Sequence, residues 1–565
     1  MINEKLKPKS VDVSSSKTAK QPLFVSEAQK PSPLTLSGNG AIKYSTTGNS
    51  FVDQFGATSQ YRAQRSFDVV SKDCEALWKT DRVNAVKFIF FLRTISRTTV
   101  LPDGKKTSEP QRGAELRHEV FFRLFWLNET DRKVFNQNIH LLPVVGSWKD
   151  IFQMLKYDLS YSGWDHRRLD WNHIANIILA GLNDASQRDL IKKYMPHIKA
   201  RSATKSIDAQ SNSMIAKWLC SVLFKTNIDD SKHYAKYRRL KSTGTAHTWQ
   251  QLISQHKFDA IDFSKIHGRA LSKLVNSKFL RNQGLSERYS EWIKSPETKD
   301  VKFTGFVHEL LAPLEPPTMY SRQSVAVDVS VQETINKQFD TLVQKAKSKE
   351  SLEQSKLIVV RDTSGSMGSP GTGTKLSCNH IAKSLALYFS EFLEGPFNGS
   401  WIEFNNTSVM HTWKGESVCE RYRNDRSSVI GGTNFQSVID IFVRMKTVNN
   451  LPEDQFPTGI LCLSDEEFNQ ASLDQTNVAI ARQKLKNAGF TQEYCDNFVI
   501  VLWNISNNYY TDSRTKYETY NNAPNTFYFS GYSGSVISFL TSKIDTPEEL
   551  FEKAMSQEVL NLISV

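Results

Sequence analysis

Five short apolar runs alternate with amphipathic stretches in the C-terminal part of the chain, residues 351–565. Continuous runs of Val, Ile and Leu predict strands covered on both faces, as in a parallel sheet. The intervening stretches have helical spacing, and this alternation is typical of parallel βαβ units. We therefore predict a doubly wound parallel-sheet domain. Its predicted strands are 357–360, 401–404, 460–463, 498–503 and 526–529, and its predicted helices are 375–392, 435–445, 479–488, 535–541 and 546–555.

Residues 51–350 show helical spacing of apolar positions with few strand signals. Val83, Val86, Ile89 and Phe90 recur three or four residues apart, and similar stretches follow. Many short helices over this length predict an α-solenoid or a ring of stacked helix pairs, although no sequence repeat is detectable. Before them, residues 1–50 are rich in Lys, Ser, Thr, Pro and Gly, which predicts a flexible basic tail.

Composition limits the classes of protein that this chain can be. The 565 residues, with 39% hydrophobic and 23% charged side chains, are typical of a soluble protein of two or three domains. No apolar run approaches the roughly 20 residues that cross a bilayer, and the amino end lacks a signal core, so we expect a cytoplasmic protein without a membrane partner. The six cysteines are dispersed, which argues against a zinc site and a disulfide framework.

A short polar loop follows the first predicted strand of the sheet domain. Asp362, Ser364 and Ser366 occupy alternate positions in the sequence Asp-Thr-Ser-Gly-Ser. Three hard oxygen ligands on a tight turn suit a divalent cation such as Mg²⁺. The loop resembles the first loop of the metal-ion-dependent adhesion site of von Willebrand factor A domains.

Two remote segments extend this resemblance. Gly431-Gly432-Thr433-Asn434 resembles the second loop of such a site, in which the threonine hydroxyl reaches the metal or its water. A strand that ends at Asp465 resembles the third loop. This order agrees with a doubly wound sheet, where ligands gather at the carboxyl ends of the strands. The resemblance thus implies a Mg²⁺ site formed by Asp362, Ser364, Ser366, Thr433 and Asp465.

Other interpretations of the polar loop fit less well. A phosphate-binding P-loop requires Gly-Lys-Ser/Thr, but Thr374 precedes Lys375 and Leu376 follows it. A hydrolase elbow requires Gly-x-Ser-x-Gly, which Ser366 does not satisfy. Glu466 and Glu467 are expected to be solvated acids at the start of a helix. A metal held by a few protein oxygens keeps exchangeable positions, which suits binding better than catalysis. The loop does not specify whether a protein carboxylate, a nucleic-acid phosphate or water occupies such a position.

The helical part carries a second resemblance. Leu141–Ile151, with the sequence Leu-Leu-Pro-Val-Val-Gly-Ser-Trp-Lys-Asp-Ile, resembles a junction of the TROVE module, and Arg112–Arg117 resembles a stretch that precedes a helix there. That module is the HEAT-like helical ring of the Ro ribonucleoprotein autoantigen, and a von Willebrand A domain follows it. An uncharacterised family of TROVE-like plus von Willebrand A proteins is more similar still. The resemblance implies binding of small structured RNAs.

The net charge of +12 and the calculated pI near 9.1 also favour anionic partners. Two basic groups are candidate RNA-binding residues. The first combines cations with aromatic side chains that could stack on bases, with the alternative that it is only the solvated face of one helix, and the second lies on a predicted helix-loop-helix. The first group is Lys232, His233, Lys236, Tyr237, Arg238, Arg239 and Lys241, and the second is Lys265, His267, Arg269 and Lys273.

Three functional hypotheses follow. The first is a non-enzymatic RNA-binding scaffold of Ro type, whose metal site docks an acidic protein partner. The second is a protein-interaction module without RNA, such as an assembly or virion-associated adaptor. The third is a metal-dependent phosphohydrolase, which ranks last because no general base is evident next to Asp362.

Overall fold

The structure, a computed structural model, describes most of the chain from Leu34 to Val565. The gaps within that span are residues 38, 59, 63–64, 164, 199–205, 243–248, 267, 276, 278–283, 304, 317–324, 348–356, 372–373, 393–396, 426, 428–430, 467, 507–516, 520–523, 533–543 and 545. The predicted helix at 535–541, candidate residue His267 and the predicted domain boundary near residue 350 lie outside the described residues.

A two-stranded hairpin opens the described chain. Strands β1 (Leu34–Leu36) and β2 (Ile42–Tyr44) pair antiparallel, and the backbone groups of Tyr44 and Tyr517 exchange hydrogen bonds of 2.6 and 2.7 Å. The prediction of a flexible tail over residues 1–50 is therefore wrong for its described part. Short strands between polar residues carry too weak an apolar pattern to be found in the sequence, and this hairpin is fixed by distant partners.

Short helices follow, as the apolar spacing predicts, and we call α1 to α16 the helical region. Aspartates set some of their boundaries: Asp81 and Asp131 each accept a backbone N–H from the first turn of the helix that they precede. The helices are α1 (Ser50–Gly56), α2 (Phe67–Thr80), α3 (Arg82–Arg93), α4 (His118–Thr130), α5 (Arg132–Asn138), α6 (Leu142–Val145), α7 (Trp148–Ser162), α8 (Trp171–Asn183), α9 (Ala185–Tyr194), α10 (Ile207–Phe224), α11 (Tyr234–Ser242), α12 (Trp249–Ser254), α13 (Arg269–Val275), α14 (Leu285–Lys294), α15 (Val307–Leu311) and α16 (Val329–Lys347).

The C-terminal part, which we call the sheet region, contains a six-stranded sheet. Its strands are β3 (Leu357–Asp362), β4 (Ser400–Phe404), β5 (Ser408–Thr412), β6 (Gly459–Ser464), β7 (Val499–Asn504) and β8 (Thr526–Ser530), and its helices are α17 (Cys378–Ser390), α18 (Val418–Arg423), α19 (Gln436–Thr447), α20 (Asn477–Asn487), α21 (Gln492–Asn497) and α22 (Pro547–Met555). The strand order is β5-β4-β3-β6-β7-β8, and all neighbours are parallel except β4 and β5. All five predicted strands are confirmed; β5 has mostly exposed side chains and so lacks the apolar run that identified the others.

Alternate residues of the central strands enter different hydrophobic clusters. Val359 and Leu461 pack on one face with α17, whereas Ile358 and Cys462 pack on the other with α19 and α20. Both faces of the sheet are thus covered, as the continuous apolar runs predict. β3 lies in the middle of the sheet between β4 and β6, and its carboxyl end is at the edge where ligands gather in sheets of this kind.

The helical region packs on the sheet region near both of its ends. Phe55 of α1 packs on Phe529 of β8 and Phe551 of α22, with ring centroids 6.4 and 5.9 Å apart. At the other end, α15 packs on α17 and α16 packs on α18. The two regions therefore share hydrophobic clusters. Within the described part of the chain, no helix has both the length and the apolar character needed to cross a membrane.

Candidate metal site and basic surfaces

The first predicted metal loop lies at the carboxyl end of β3. Asp362, the last residue of β3, is fully buried. Its Oδ1 accepts a hydrogen bond from the backbone N–H of Ser364 at 2.8 Å, and its Oδ2 accepts one from Ser464 Oγ at 2.6 Å. Ser364 Oγ lies 3.0 Å from Ser366 Oγ. The three predicted ligands of this loop are therefore neighbours in space.

The second and third loops meet the first at the same edge of the sheet. The Gly365 N–H donates to the Gly431 carbonyl at 3.3 Å, which joins the first loop to the second. We call the described residues 464–466 and 468–469 the third loop. The N–H of Asn469 donates to the Thr433 carbonyl at 2.8 Å, and the Thr433 N–H donates to Asn469 Oδ1 at 3.3 Å. The structure thus brings the first predicted loop into contact with the second and, through Ser464, with the predicted end of β6, whereas the second loop contacts Asn469, which lies beyond the predicted third segment.

The electrostatics of this edge are unfavourable for two ionised carboxylates. Burial, together with the smaller effect of the nearby Asp465 carboxylate, raises the pKa of Asp362 to about 7. Hydrogen bonds from Ser464 and Ser364 lower the pKa only in part. Asp465 is itself buried. A divalent cation between the two carboxylates would remove this repulsion.

The residues present fit a magnesium ion better than a softer metal. Among the described residues, no three His, Cys, Asp or Glu side chains are grouped so that they could hold a metal ion. The candidate site instead combines two carboxylates with the hydroxyls of Ser364, Ser366 and Thr433, and Mg²⁺ accepts such oxygen ligands together with water. Ser366 is exposed, so one side of the site is open to solvent.

Glu466 has a different environment from the one predicted. It is buried rather than solvated, it precedes no helix, and its φ of 62° lies in the left-handed region. Burial raises its pKa, and although the nearby ammonium of Lys43 opposes this rise, the pKa is about 7. The turn after β6, held by Ser464 Oγ, explains this position. Glu467 lies outside the described residues.

Two polar residues of this site had no assigned role in the sequence. Ser464 Oγ donates a hydrogen bond to Asp362 Oδ2, and Asn469 Oδ1 accepts one from the Thr433 N–H. Ser464 could have been found as the first polar residue after the apolar run of β6, where a strand end faces the site. Asn469 has no such signal, because it lies in an irregular segment.

The first basic group lies on and just before α11. Lys232, Lys236 and Arg238 are exposed, as is Arg239. Tyr237, however, is fully buried and donates its hydroxyl hydrogen bond to the Pro196 carbonyl at 2.9 Å. The prediction that Tyr237 stacks on a base is therefore wrong, because its ring anchors α11 in the core.

Two other members of this group are engaged within the protein. His233 is half-buried and stacks on Phe224 with ring centroids 5.4 Å apart. Lys241 donates to the Lys192 carbonyl at 3.0 Å. The exposed part of the group is thus smaller than the sequence run.

The second basic group lies elsewhere. Arg269 pairs with Glu309 at 2.6 Å, Lys265 lies 3.3 Å from Asp262, and Lys273 is exposed. Its helix α13 packs on α16, whereas α11 packs on α9 and α10, and the two belong to different hydrophobic clusters. The two groups do not share a helix pair.

The Gly-Ser-Trp-Lys-Asp segment that carries the TROVE resemblance forms a buried ion cluster. Asp150 accepts hydrogen bonds from Arg93 Nη2 at 2.8 Å and Arg117 Nε at 2.5 Å, and from the Ser147 N–H at 2.7 Å at the start of α7. A Cβ at Gly146 would lie 2.4 Å from Asp150 Oδ2. Burial alone would raise the pKa of Asp150, but the two guanidinium groups lower it below its usual range. The segment therefore joins three helices.

Comparison with known proteins finds two similarities. Residues 356–561 match a family described as "Domain of unknown function (DUF7788)". The chain is also 21% identical over 502 residues to "Uncharacterized protein L728" of Acanthamoeba polyphaga mimivirus, which covers 84% of this chain and 79% of that protein. The second similarity includes both the helical and the sheet regions.

Proposed function

We propose that this protein is a non-enzymatic scaffold that docks an acidic protein partner through a divalent cation, as von Willebrand A domains do. The observation that carries the proposal is the meeting of the three polar loops at the end of β3. Asp362 and Asp465 would supply the negative charge, and the hydroxyls of Ser364, Ser366 and Thr433 would supply further ligands. When bound, Mg²⁺ would offer a remaining coordination position to a carboxylate.

Two features of the site support docking. Burial first, and the Asp465 carboxylate second, raise the pKa of Asp362, and a cation would be stabilised by both carboxylates. The exposed Ser366 leaves room for a group from outside the chain. The hydrogen bonds that join the loops fix the ligands before binding, which lowers the entropy lost on binding.

Titration of the full chain with Mg²⁺ and with Mn²⁺ tests the metal site. We expect binding to one site, and loss of that binding in Asp362→Ala. The second step measures binding to immobilised poly-glutamate, with poly-lysine as the charge control, in Mg²⁺ and then in EDTA. Binding to poly-glutamate that needs both Mg²⁺ and Asp362 supports docking, whereas a chain that binds neither metal contradicts it. Release of phosphate from RNA or a nucleoside triphosphate would instead favour the phosphohydrolase.

We also propose that the scaffold binds RNA, and the basic surface of α11 favours this second function. The segment 231–242 contains no acidic residue, and it exposes Lys232, Lys236, Arg238 and Arg239. Cations spread over one helix suit the phosphate backbone of a structured RNA. The contacts of both ends of the helical region with the sheet region agree with a ring of Ro type.

Fluorescence anisotropy with a labelled small structured RNA tests this function. We expect binding that weakens with salt, and a smaller salt slope in Arg238→Ala/Arg239→Ala, by about 0.7–0.9 for each phosphate that the variant no longer neutralises. Lys265→Ala/Lys273→Ala, in the other basic group, is the matched control for charge. Equal slopes in wild type and the α11 variant would exclude α11 as the RNA surface, and a smaller slope in Lys265→Ala/Lys273→Ala would assign that surface to the second basic group. A wild-type chain that binds no RNA would leave the protein-interaction module without RNA.

A further inference from the structure

The N-terminal hairpin lies against the third loop of the candidate metal site. Ser37 Oγ donates a hydrogen bond to the Phe468 carbonyl at 3.2 Å, and Gly40 forms a bridge with Asn469. Ser37 and Phe468 are 431 residues apart in the sequence, so these contacts join distant segments of the chain. The hairpin thus holds two successive residues of a loop that also contacts the first and second loops.

Lys43 of β2 extends into the protein beneath this loop. Its side chain is almost wholly buried, and its Nζ donates a hydrogen bond to the backbone carbonyl of Glu466. The same Nζ lies 3.7 Å from Oε1 of Glu518 and 4.7 Å from the centre of the Phe468 ring. An ammonium group is costly to bury unless it is paired and hydrogen-bonded. Here an anion, a carbonyl and a ring face provide that compensation.

A short series of hydrogen bonds connects Lys43 to Asp362. Lys43 Nζ donates a hydrogen bond to the carbonyl of Glu466, and the N–H of Glu466 donates one to Ser464 Oγ at 2.9 Å. That hydroxyl donates in turn to Asp362 Oδ2 at 2.6 Å. Glu466 has a φ of 62°, a backbone conformation that a residue other than glycine keeps only when its surroundings fix it. Asp465 lies between the two residues that these bonds hold.

We propose that Lys43 is a positioning residue of the metal site, which fixes the third loop so that Asp465 stays beside Asp362. This inference rests on the proposed metal-dependent function. It means that the site is completed by a residue from the far end of the chain, 423 residues from the carbonyl that it holds. The hairpin and the sheet edge then act as one unit in cation binding.

The direction of the change in cation affinity on loss of Lys43 distinguishes a positioning role from a purely electrostatic one. Loss of a positive charge near a cation site strengthens cation binding if the geometry is unchanged, because like charges repel. Loss of the group that fixes a ligand loop weakens binding, typically about tenfold or more for a residue that orients a metal ligand. The two roles of Lys43 therefore predict opposite changes in affinity.

Four variants of the full chain isolate the contact with Glu466. Lys43→Met/Glu518→Gln removes both members of the ion pair together, so that the buried Glu518 carboxylate is not left without its cation. Glu518→Gln alone keeps the lysine on the Glu466 carbonyl, and Lys43→Arg keeps the charge and its donors. Lys337→Met is the matched control, because Lys337 Nζ holds the carbonyls of Ser295 and Thr298 in the helical region at 2.9 and 3.0 Å.

Affinity for Mn²⁺ alone is measured by electron paramagnetic resonance, and amide hydrogen exchange is measured across the third loop. We expect about tenfold weaker binding and faster exchange at this loop in the double variant. Affinity in Glu518→Gln, Lys43→Arg and Lys337→Met should stay within about threefold of wild type. Unchanged or tighter binding in the double variant overturns the role of Lys43 and leaves the metal site standing. A wild-type chain that binds no Mn²⁺ overturns both.

Discussion

Asp150 of the helical region and Asp362 of the sheet region are both fully buried carboxylates, but their surroundings differ. Asp150 lies between the guanidinium groups of Arg93 and Arg117, which hold its pKa below the usual range. Asp362 has hydroxyls and a second carboxylate around it, and its pKa rises to about 7. The first carboxylate has its cations within the chain, whereas the main electrostatic neighbour of the second, among the described residues, is another carboxylate.

This difference distinguishes a structural ion cluster from a binding site. A buried charge that is already paired with opposite charges inside the protein gains little from binding an external ion. A buried charge whose compensation is incomplete raises the energy of the ligand-free state and gains most from an external cation. We infer function at the end of β3 and structure at the start of α7 for this reason.

The largest expected effect is on stability at Asp150. Asp150→Asn leaves the buried guanidinium of Arg93 and the half-buried guanidinium of Arg117 without their anion and should lower the free energy of unfolding by about 3–5 kcal/mol. Asp362→Asn in metal-free buffer should change it by less than about 1 kcal/mol, since the repulsion with Asp465 is removed. Urea unfolding of both variants measures the contrast. Similar losses in the two variants would show that Asp362 is structural as well.

Next in size is the effect of the second carboxylate on metal affinity. Asp465→Asn removes half of the negative charge at the site and should weaken Mg²⁺ binding about 100-fold, beyond the tenfold typical of residues that only support a ligand. Isothermal titration gives the dissociation constant. Asp474→Asn changes an exposed acid of the same region and serves as the control. Equal affinities in the two variants would remove Asp465 from the ligand set.

The two aspartates should also respond to pH with opposite signs. The folded pKa of Asp362 is raised, so its contribution to stability in metal-free protein is fully present below pH 3.8 and is lost as the pH rises through about 7. The folded pKa of Asp150 is lowered, so its contribution is present above pH 3.8 and is lost as the pH falls. Because Mg²⁺ competes with the proton on Asp362, its dissociation constant should fall about tenfold from pH 6 to pH 8. Titrations at pH 6, 7 and 8 check this, and a constant affinity would contradict the assignment.

The smallest effect is expected at Ser464. Ser464→Ala removes one hydrogen bond to Asp362, a contribution of roughly 0.5–1.5 kcal/mol, and should weaken Mg²⁺ binding about threefold. Ser472→Ala, in an exposed segment beyond the third loop, is the control. Titration at pH 8 measures both. A loss as large as that of Asp465→Asn would place Ser464 among the ligands.

Sequence reasoning reached further in one region than in the other. In the sheet region, apolar runs identified the strands, and parallel strands end at one edge, so the topology itself brought Asp362 near Asp465. In the helical region, spacing identified helices but could not show which side of α11 is buried, and Tyr237 was misassigned. Burial on a helix is decided by its neighbours, which the local sequence does not specify.

Contacts between distant segments also could not be predicted from the sequence. Lys43 is bonded to a carbonyl 423 residues away, and Arg93 is bonded to a carboxylate 57 residues away. Neither lysine nor arginine carries a local sign of burial, since both are usually solvated. The edge strand β5 was missed for a related reason, because its exposed side chains leave no apolar pattern.

The aromatic contacts of Phe55 have a practical consequence for dissecting the chain. This ring packs on Phe91 of the helical region and on Phe529 and Phe551 of the sheet region. A fragment that begins at β3 would leave those phenylalanines uncovered, and such surfaces promote aggregation. Calorimetry of the intact chain should therefore show one joint melting transition, and recombinant work on either half alone would need a solubilising substitute for the missing partner.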